Sequence, residues 1–177
     1  DEELRSNMLS KLLLYILLYR DKILTIEDIT TAVWQDEEIE NPAGALKNLM
    51  YRLRKTLSKY FGNQDFILTN RGSYRWNLQV SVNFDIEQFD KLMNEAKQEN
   101  TLEKAELLYE QAIALYQGDF MVRLTDMHWI LTLNTYYHSL YLSCVKALSE
   151  IYLKLERYEN LEKICTDALK LESGDEE

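Results

Sequence analysis

Cations and amides between residues 44 and 80 are the side chains of this sequence best suited to chemistry. The segment holds seven basic residues and one acidic residue, although the whole chain has a formal net charge of −10. Arginine and lysine neutralise phosphates, and arginine or asparagine can form paired hydrogen bonds to guanine or adenine edges in a major groove. The chemistry expected of this segment is therefore recognition of nucleic acid.

Other reactive constellations are missing from the sequence. His128 and His138 do not belong to a metal-ligand spacing, and no nucleophile elbow, phosphate-binding loop or dinucleotide-binding glycine motif occurs. The many carboxylates fall on helix faces expected to be solvated, where the pairing needed for general acid–base catalysis is not expected. We predict a protein that is not an enzyme and uses no cofactor or metal. Cys144 and Cys165 are interpreted as buried thiols in a reducing cytoplasm.

Composition places these residues in a compact, mainly helical chain of one or two domains. Of 177 residues, 46% are hydrophobic, which excludes a disordered polymer, and five glycines and one proline leave little turn chemistry for an all-β fold. Charge is segregated, with net values of −6 over residues 1–43, +6 over 44–80 and −10 over 81–177. The longest apolar run, Leu12–Tyr19, is too short to cross a membrane, so no membrane partner is expected.

A helix over residues 42–59 is predicted to position the cations. Asn41 and Pro42 form a helix-start signal, because Asn can cap a free backbone N–H and Pro at the first position loses no helical hydrogen bond. Helical periodicity places five apolar residues on one stripe: Leu46, Leu49, Met50, Leu53 and Leu57. The opposite face carries Asn48, Tyr51, Arg52, Lys55 and Lys59, flanked by Lys47 and Arg54. This face contains no carboxylate, so we favour a recognition helix over an ordinary solvated helix face, which would mix both signs of charge.

The elements around this helix have the order of a winged-helix domain. A helix over 4–19 that is apolar almost all round is followed by a short helix through Trp34, capped by Thr25 and Asp28. After the long helix, strands are predicted at Phe66–Thr69 and Tyr74–Leu78 around the turn Asn70–Ser73, whose tip carries Arg71. The order helix, turn, helix, hairpin predicts a winged helix over residues 1–80.

Residues 81–177 are predicted to form a second, acidic helical domain. Asp85 to Gln88 is typical of a capping box, and two faint repeats fit the large–small spacing of tetratricopeptide helix pairs. The first repeat comprises Phe89, Leu92, Met93, Ala96, Ala105, Tyr109 and Ala112; the second comprises Val145, Leu148, Ser149, Tyr152, Leu161, Cys165 and Ala168. A long extra segment, Gly118 to Tyr141, separates the repeats.

The order and spacing of these motifs resemble a known family of regulators. The first half is similar to the OmpR-like winged helix at Leu24–Ile29 with Trp34, Ala45–Arg54, Ile67–Thr69 and Gly72–Arg75. The second half resembles the bacterial transcriptional activation domain of SARP-type activators at Asp85–Phe89, Tyr116–Phe120 and Trp129. Three features depart from the family pattern. The chain starts almost directly at the first helix, so the family's N-terminal antiparallel sheet is either missing or degenerate. The activation domain stops after two helix pairs where about three are usual, so we expect it to be truncated, and Asn134 and Tyr136 occupy the region after Trp129 where the family often has an arginine. Without that sheet, residues 12–19 would lack a cover.

The resemblance implies a promoter-binding transcriptional activator. The recognition-helix role falls on Lys47, Asn48, Tyr51, Arg52 and Lys55, and the wing role on Asn70 and Arg71. We add Lys59 as a phosphate-binding cation, whereas Tyr74 and Trp76 match positions that pack the hairpin on the core.

The expected partners are double-stranded DNA and, through the helical domain, RNA polymerase or another protein. We place the protein in the cytoplasm and leave a homodimer open. The alternative is an interaction scaffold whose winged helix has lost DNA binding, because the acidic loop Asp36–Glu40 beside the recognition helix would repel phosphate.

Overall fold

The computed structural model describes residues 7–35, 39–118 and 127–173. The chain divides into two compact units, residues 1–82 and 83–177, which are described separately. Some predicted features lie outside the described residues: the start of the first helix at residues 4–6, most of the acidic loop, and Asp119 and Phe120 of the family motif.

The first unit packs three helices against a three-stranded sheet. Its helices are α1 (Asn7–Leu18), α2 (Ile26–Trp34) and α3 (Pro42–Phe61), and its strands are β1 (Leu24–Thr25), β2 (Ile67–Asn70) and β3 (Ser73–Trp76). The strands are antiparallel in the order β1-β3-β2, so β2 and β1 are the edges. One hydrophobic core joins all three helices to the sheet through fully buried residues such as Leu12, Ile29 and Leu53.

The surface of α1 is better covered than the sequence predicted. Leu12, Leu14 and Ile16 are buried, and every other residue from 12 to 19 is half-buried. The expectation that this apolar segment would lack a cover is therefore wrong.

The start of α2 combines a predicted cap with a strand that the sequence did not predict. The Thr25 hydroxyl accepts from the backbone N–H of Asp28 at 3.1 Å, and the Asp28 carboxylate accepts from the backbone N–H of Thr25 at 2.8 Å. These bonds from Thr25 lower the pKa of Asp28 and confirm the capping box. The same Thr25 pairs with Ser73, and Leu24 pairs with Tyr74, which makes β1 the third strand of the sheet.

The second unit consists of helices α4 (Asp85–Gln98), α5 (Leu102–Leu115), α6 (His128–Lys154) and α7 (Tyr158–Ser173). Short turns join α4 to α5 and α6 to α7, and most repeat positions named from the sequence lie in one shared core. Part of the extra segment between the repeats belongs to the first half of α6. The predicted mainly helical fold, a winged helix-turn-helix followed by a tetratricopeptide-like unit, is thereby confirmed.

Two details of the second unit differ from expectation. The predicted capping box at the start of α4 is wrong. Phe84 occupies the N-cap position and forms no side-chain hydrogen bond there, and the Asp85 carboxylate instead accepts from the backbone N–H of Ile86. Cys144 is buried, as expected, but Cys165 is exposed on α7, so the expectation that both thiols are buried is wrong for Cys165.

An ion pair lies at the edge of the core of the second unit. The Glu106 side chain on α5 is only 5% exposed and pairs with Arg157 in the turn before α7. Beside it, the Tyr152 hydroxyl of α6 donates to the Glu110 carboxylate at 2.7 Å. These contacts join α5 to α6 and to the turn before α7 through side chains distant in sequence.

Candidate nucleic-acid interface

The position of α3 follows from local sequence signals. The Asn41 side chain accepts from the backbone N–H of Gly44 at 2.9 Å, and Pro42 is the first helical residue. The helix extends two residues beyond the predicted end, and Gly62 follows it with a φ of +86°, a conformation that glycine adopts easily. The predicted leucine–methionine stripe is buried, together with Thr56.

The residues predicted for recognition lie together on the opposite face of α3. All six are exposed: Lys47, Asn48, Tyr51, Arg52, Lys55 and Lys59. Tyr51 is 67% exposed in the middle of this surface. A helix of this length presenting polar and cationic side chains has the dimensions to enter a major groove.

Three cations of this face are not paired with carboxylates of the described residues. Lys47, Arg52 and Lys55 have no ion-pair partner within 4.0 Å in the described parts of the chain. Lys59 differs, because its ammonium lies 5.3 Å from the centroid of the Tyr60 ring. The face therefore retains a positive charge that an anionic partner could compensate.

Arg54, which helical periodicity placed at the flank of the outward face, does not belong to that face. It is half-buried on α3, and its Nη2 donates to the carbonyl oxygen of Ile67 at 2.8 Å and to the Thr69 hydroxyl at 2.6 Å. Both acceptors lie on β2. The exposed basic residues of α3 are Lys47, Arg52, Lys55 and Lys59.

The hairpin formed by β2 and β3 projects Arg71 at its tip. Asn70 pairs with Ser73, so the loop contains two residues, Arg71 and Gly72, with φ values of +45° and +82°. Positive φ at both loop residues is the mark of a type I′ turn, the tight turn that matches the twist of the strands. Asn70 and Arg71 are exposed, and the Ser73 hydroxyl closes the turn by donating to the Asn70 carbonyl at 2.6 Å.

The base of the hairpin is held in the core. Tyr74 and Trp76 are buried, as predicted, and the Trp76 indole N–H donates to the carbonyl of Val80 at 2.9 Å. Arg75, between them, is exposed and faces away from the core. Arg75 is not among the predicted site residues, although strict alternation along the strand places it outward.

Neither a metal-binding cluster nor a membrane-spanning helix is found in the described residues. Among them, no group of three or more His, Cys, Asp or Glu side chains could hold a metal ion. No described helix is long and apolar enough to cross a membrane. Of the acidic loop, Glu40 is described and exposed directly before the cap of α3.

Comparisons with known proteins divide the chain in the same order as its two units. Residues 4–75 match the family described as Transcriptional regulatory protein, C terminal, and residues 84–177 match the Bacterial transcriptional activator domain. Neither family is one of enzymes. A comparison with curated proteins finds no significant match.

The fold is similar to a solved structure of Mycobacterium tuberculosis EmbR in complex with a low affinity phosphopeptide. The TM-score is 0.76 at 16% sequence identity, and the similarity covers 96% of this chain. The chain spans only 45% of the EmbR chain, so the likeness concerns the fold of that part.

Proposed function

The chain belongs to the family of the bacterial transcriptional activator domain, and from this membership we propose that it is a DNA-binding transcriptional activator. Its two domains have the order of the SARP-type regulators that the sequence resembles, and this resemblance is confirmed by the family matches. The proposed activity is binding without catalysis, in the cytoplasm.

The exposed cationic face of α3 is the observation that carries the proposal. Arg52, Lys47 and Lys55 have no described carboxylate partner, so phosphates would replace only water and counterions around them. The leucine–methionine stripe on the other side of α3 is buried and holds this face in a fixed orientation.

In the proposed complex, α3 lies in the major groove of double-stranded DNA. Lys47, Lys55 and Lys59 neutralise phosphates, while Arg52 and Asn48 form hydrogen bonds to base edges and Tyr51 packs beside them. Asn70 and Arg71 at the wing tip contact an adjacent groove or the backbone. The acidic helical domain then contacts RNA polymerase or another protein.

Comparison of Arg52→Ala with Lys59→Ala tests this division of roles. A bound sequence is first selected from random DNA, and both variants are then titrated with the selected and a scrambled fragment at several salt concentrations. We expect Arg52→Ala to lose about 1–3 kcal/mol on the selected fragment and little on the scrambled one. Lys59→Ala should weaken binding to both fragments and reduce the salt slope by about one.

Lys163→Ala is the matched control, because this lysine is exposed on α7 in the acidic unit. Its titration curves should coincide with those of the wild type. Indistinguishable curves for the Arg52 and Lys59 variants would contradict the assignment of base and phosphate contacts.

A second candidate is the interaction scaffold without DNA binding. The net charge of −10 and the exposed Glu40 directly before α3 favour it. Retention on immobilised random DNA at low salt separates the two candidates, since non-specific binding depends on cations facing phosphates. A wild-type protein that is not retained on the DNA column at low salt would support the scaffold and contradict the proposed regulator.

A further inference from the structure

We propose that Arg54 is a positioning residue that holds the wing at a set distance from α3, so that the contribution of Arg71 to DNA binding depends on Arg54. The proposal rests on the proposed function, because it concerns how two contact elements are aligned on one duplex. Arg54 itself acts through the hairpin and is not assigned a DNA contact.

Arg54 connects α3 directly to the hairpin. Its guanidinium reaches from the middle of the helix to two positions of β2, the carbonyl of Ile67 at 2.8 Å and the hydroxyl of Thr69 at 2.6 Å. One nitrogen therefore binds two acceptors of the same strand. This contact directly joins the helix proposed for the major groove to the hairpin proposed for the wing.

The two acceptors lie on the open edge of the sheet. Because β2 is an outer strand, only one of its edges pairs with β3. The Phe66 carbonyl accepts from the N–H of Asn77 on the paired side at 2.8 Å, and successive carbonyls of a strand point to opposite edges. The Ile67 carbonyl therefore points away from β3, where Arg54 satisfies it and limits movement of the edge.

The contact is close to the wing tip. Thr69 precedes Arg71 by two residues, and a strand advances about 3.3 Å per residue, so roughly 7 Å of chain separates them. The base of the hairpin is held separately, by the burial of Ile67, Tyr74 and Trp76. Loss of Arg54 should therefore leave the domain folded while the tip moves relative to α3.

The same residue could instead contribute as a charge facing phosphate, and a double-mutant cycle distinguishes the two roles. Salt-dependent titrations are compared for the wild type, Arg54→Ala, Arg71→Ala and the double variant. If Arg54 positions the wing, each single variant lowers the salt slope by about 0.9 and the double variant lowers it no further. If Arg54 neutralises its own phosphate, the two losses add, and additive losses would overturn the proposal.

Two further variants test the route through β2. Thr69→Val removes the hydroxyl acceptor and keeps a β-branched side chain on the strand. It should lower the salt slope, but by less than Arg54→Ala does. Arg75→Ala removes an exposed guanidinium from the same hairpin without removing the contact to α3. Any decrease in salt slope caused by Arg75→Ala should add to the decrease caused by Arg71→Ala. If Arg75 and Arg71 were coupled as strongly as Arg54 and Arg71, the specific role of Arg54 would be contradicted.

A measurement on the free protein separates this inference from the proposed function. Backbone amide relaxation of residues 70–73 should report greater mobility in Arg54→Ala than in the wild type, with unchanged chemical shifts in the second unit. Unchanged relaxation would refute the positioning role even if the protein binds DNA. If Arg54→Ala shows increased mobility but the wild-type protein binds no DNA, the proposed function is overturned and the role of Arg54 is confined to holding the hairpin.

Discussion

Arg71→Asn should make the protein more stable and a weaker DNA binder at the same time. Arg71 adopts a φ of +45° in the two-residue turn, and the left-handed region disfavours side chains other than Gly, Asn and Asp. Asn followed by Gly72 is the sequence that type I′ turns prefer. The arginine at this position is thus a poor choice for the turn and a good one for contacting phosphate.

The expected size of both effects follows from the surroundings of Arg71. The left-handed conformation costs an L residue roughly 1–2 kcal/mol, and Asn should recover about 0.5–1 kcal/mol of it. Arg71 is exposed and forms no hydrogen bond or ion pair with the described residues, so its removal sacrifices no folded-state contact. Loss of one phosphate contact should reduce the slope of log affinity against log salt by about 0.9.

Urea denaturation and salt-dependent DNA titration measure the two effects on the same protein preparation. Arg71→Lys is the matched control, because it keeps both the charge and an unfavourable side chain in the turn; its stability and salt slope should equal those of the wild type. An Asn variant that is less stable than the wild type would refute the claim that arginine is unfavourable in this turn. A salt slope unchanged by Asn would refute the wing contact.

Three further predictions concern the stability of the two units. Asn41→Ala should reduce the free energy of unfolding by about 1 kcal/mol in urea because a backbone N–H at the start of α3 loses its cap, whereas Asn41→Asp should be nearly neutral; equal losses for both would exclude capping as the cause. Arg157→Ala should cost about 1–3 kcal/mol, since it leaves the buried Glu106 carboxylate without its partner while solvent already reaches the Arg157 side, and adding Glu106→Gln should restore part of the loss; no rescue would indicate that packing of Arg157 matters more than its charge. Burial raises the pKa of Tyr152 and of Cys144 to about 12, so the unfolded state releases these protons first and stability should fall between about pH 9 and 12. Urea midpoints at pH 8 and 11 would measure this fall, which Tyr152→Phe should lessen and which a constant midpoint would contradict.

Helix α3 could be predicted because its determinants are close together in the chain. A cap at Asn41, a proline in the first turn and apolar residues at helical spacing act within a few residues of one another, and the structure places α3 where they indicate. The exposure of Arg52 and Lys55 follows from the same periodicity. Strand alternation similarly predicts the burial of Tyr74 and Trp76.

Short elements and long-range side-chain contacts could not be predicted in this way. A strand of two residues, Leu24–Thr25, is too short to show alternation, and it exists because β3 offers a pairing edge. Helical periodicity placed Arg54 beside the other cations. It gives the direction in which a side chain leaves the helix, but it does not identify the partner that the side chain contacts. Cys165 occupies a repeat position yet is exposed, because the spacing gives the direction of a side chain but not how much of it the neighbouring helix covers.

Capping, periodicity and composition were therefore enough to predict a mainly helical chain, the charged face of α3, and a winged helix followed by a helical unit. Capping and periodicity act within one or two turns of a helix, so they can be read from neighbouring residues. The contacts of Arg54 with β2 and of Glu106 with Arg157 could be known only from the folded chain, because those partners lie 13 to 51 residues apart and come together only when the cores pack.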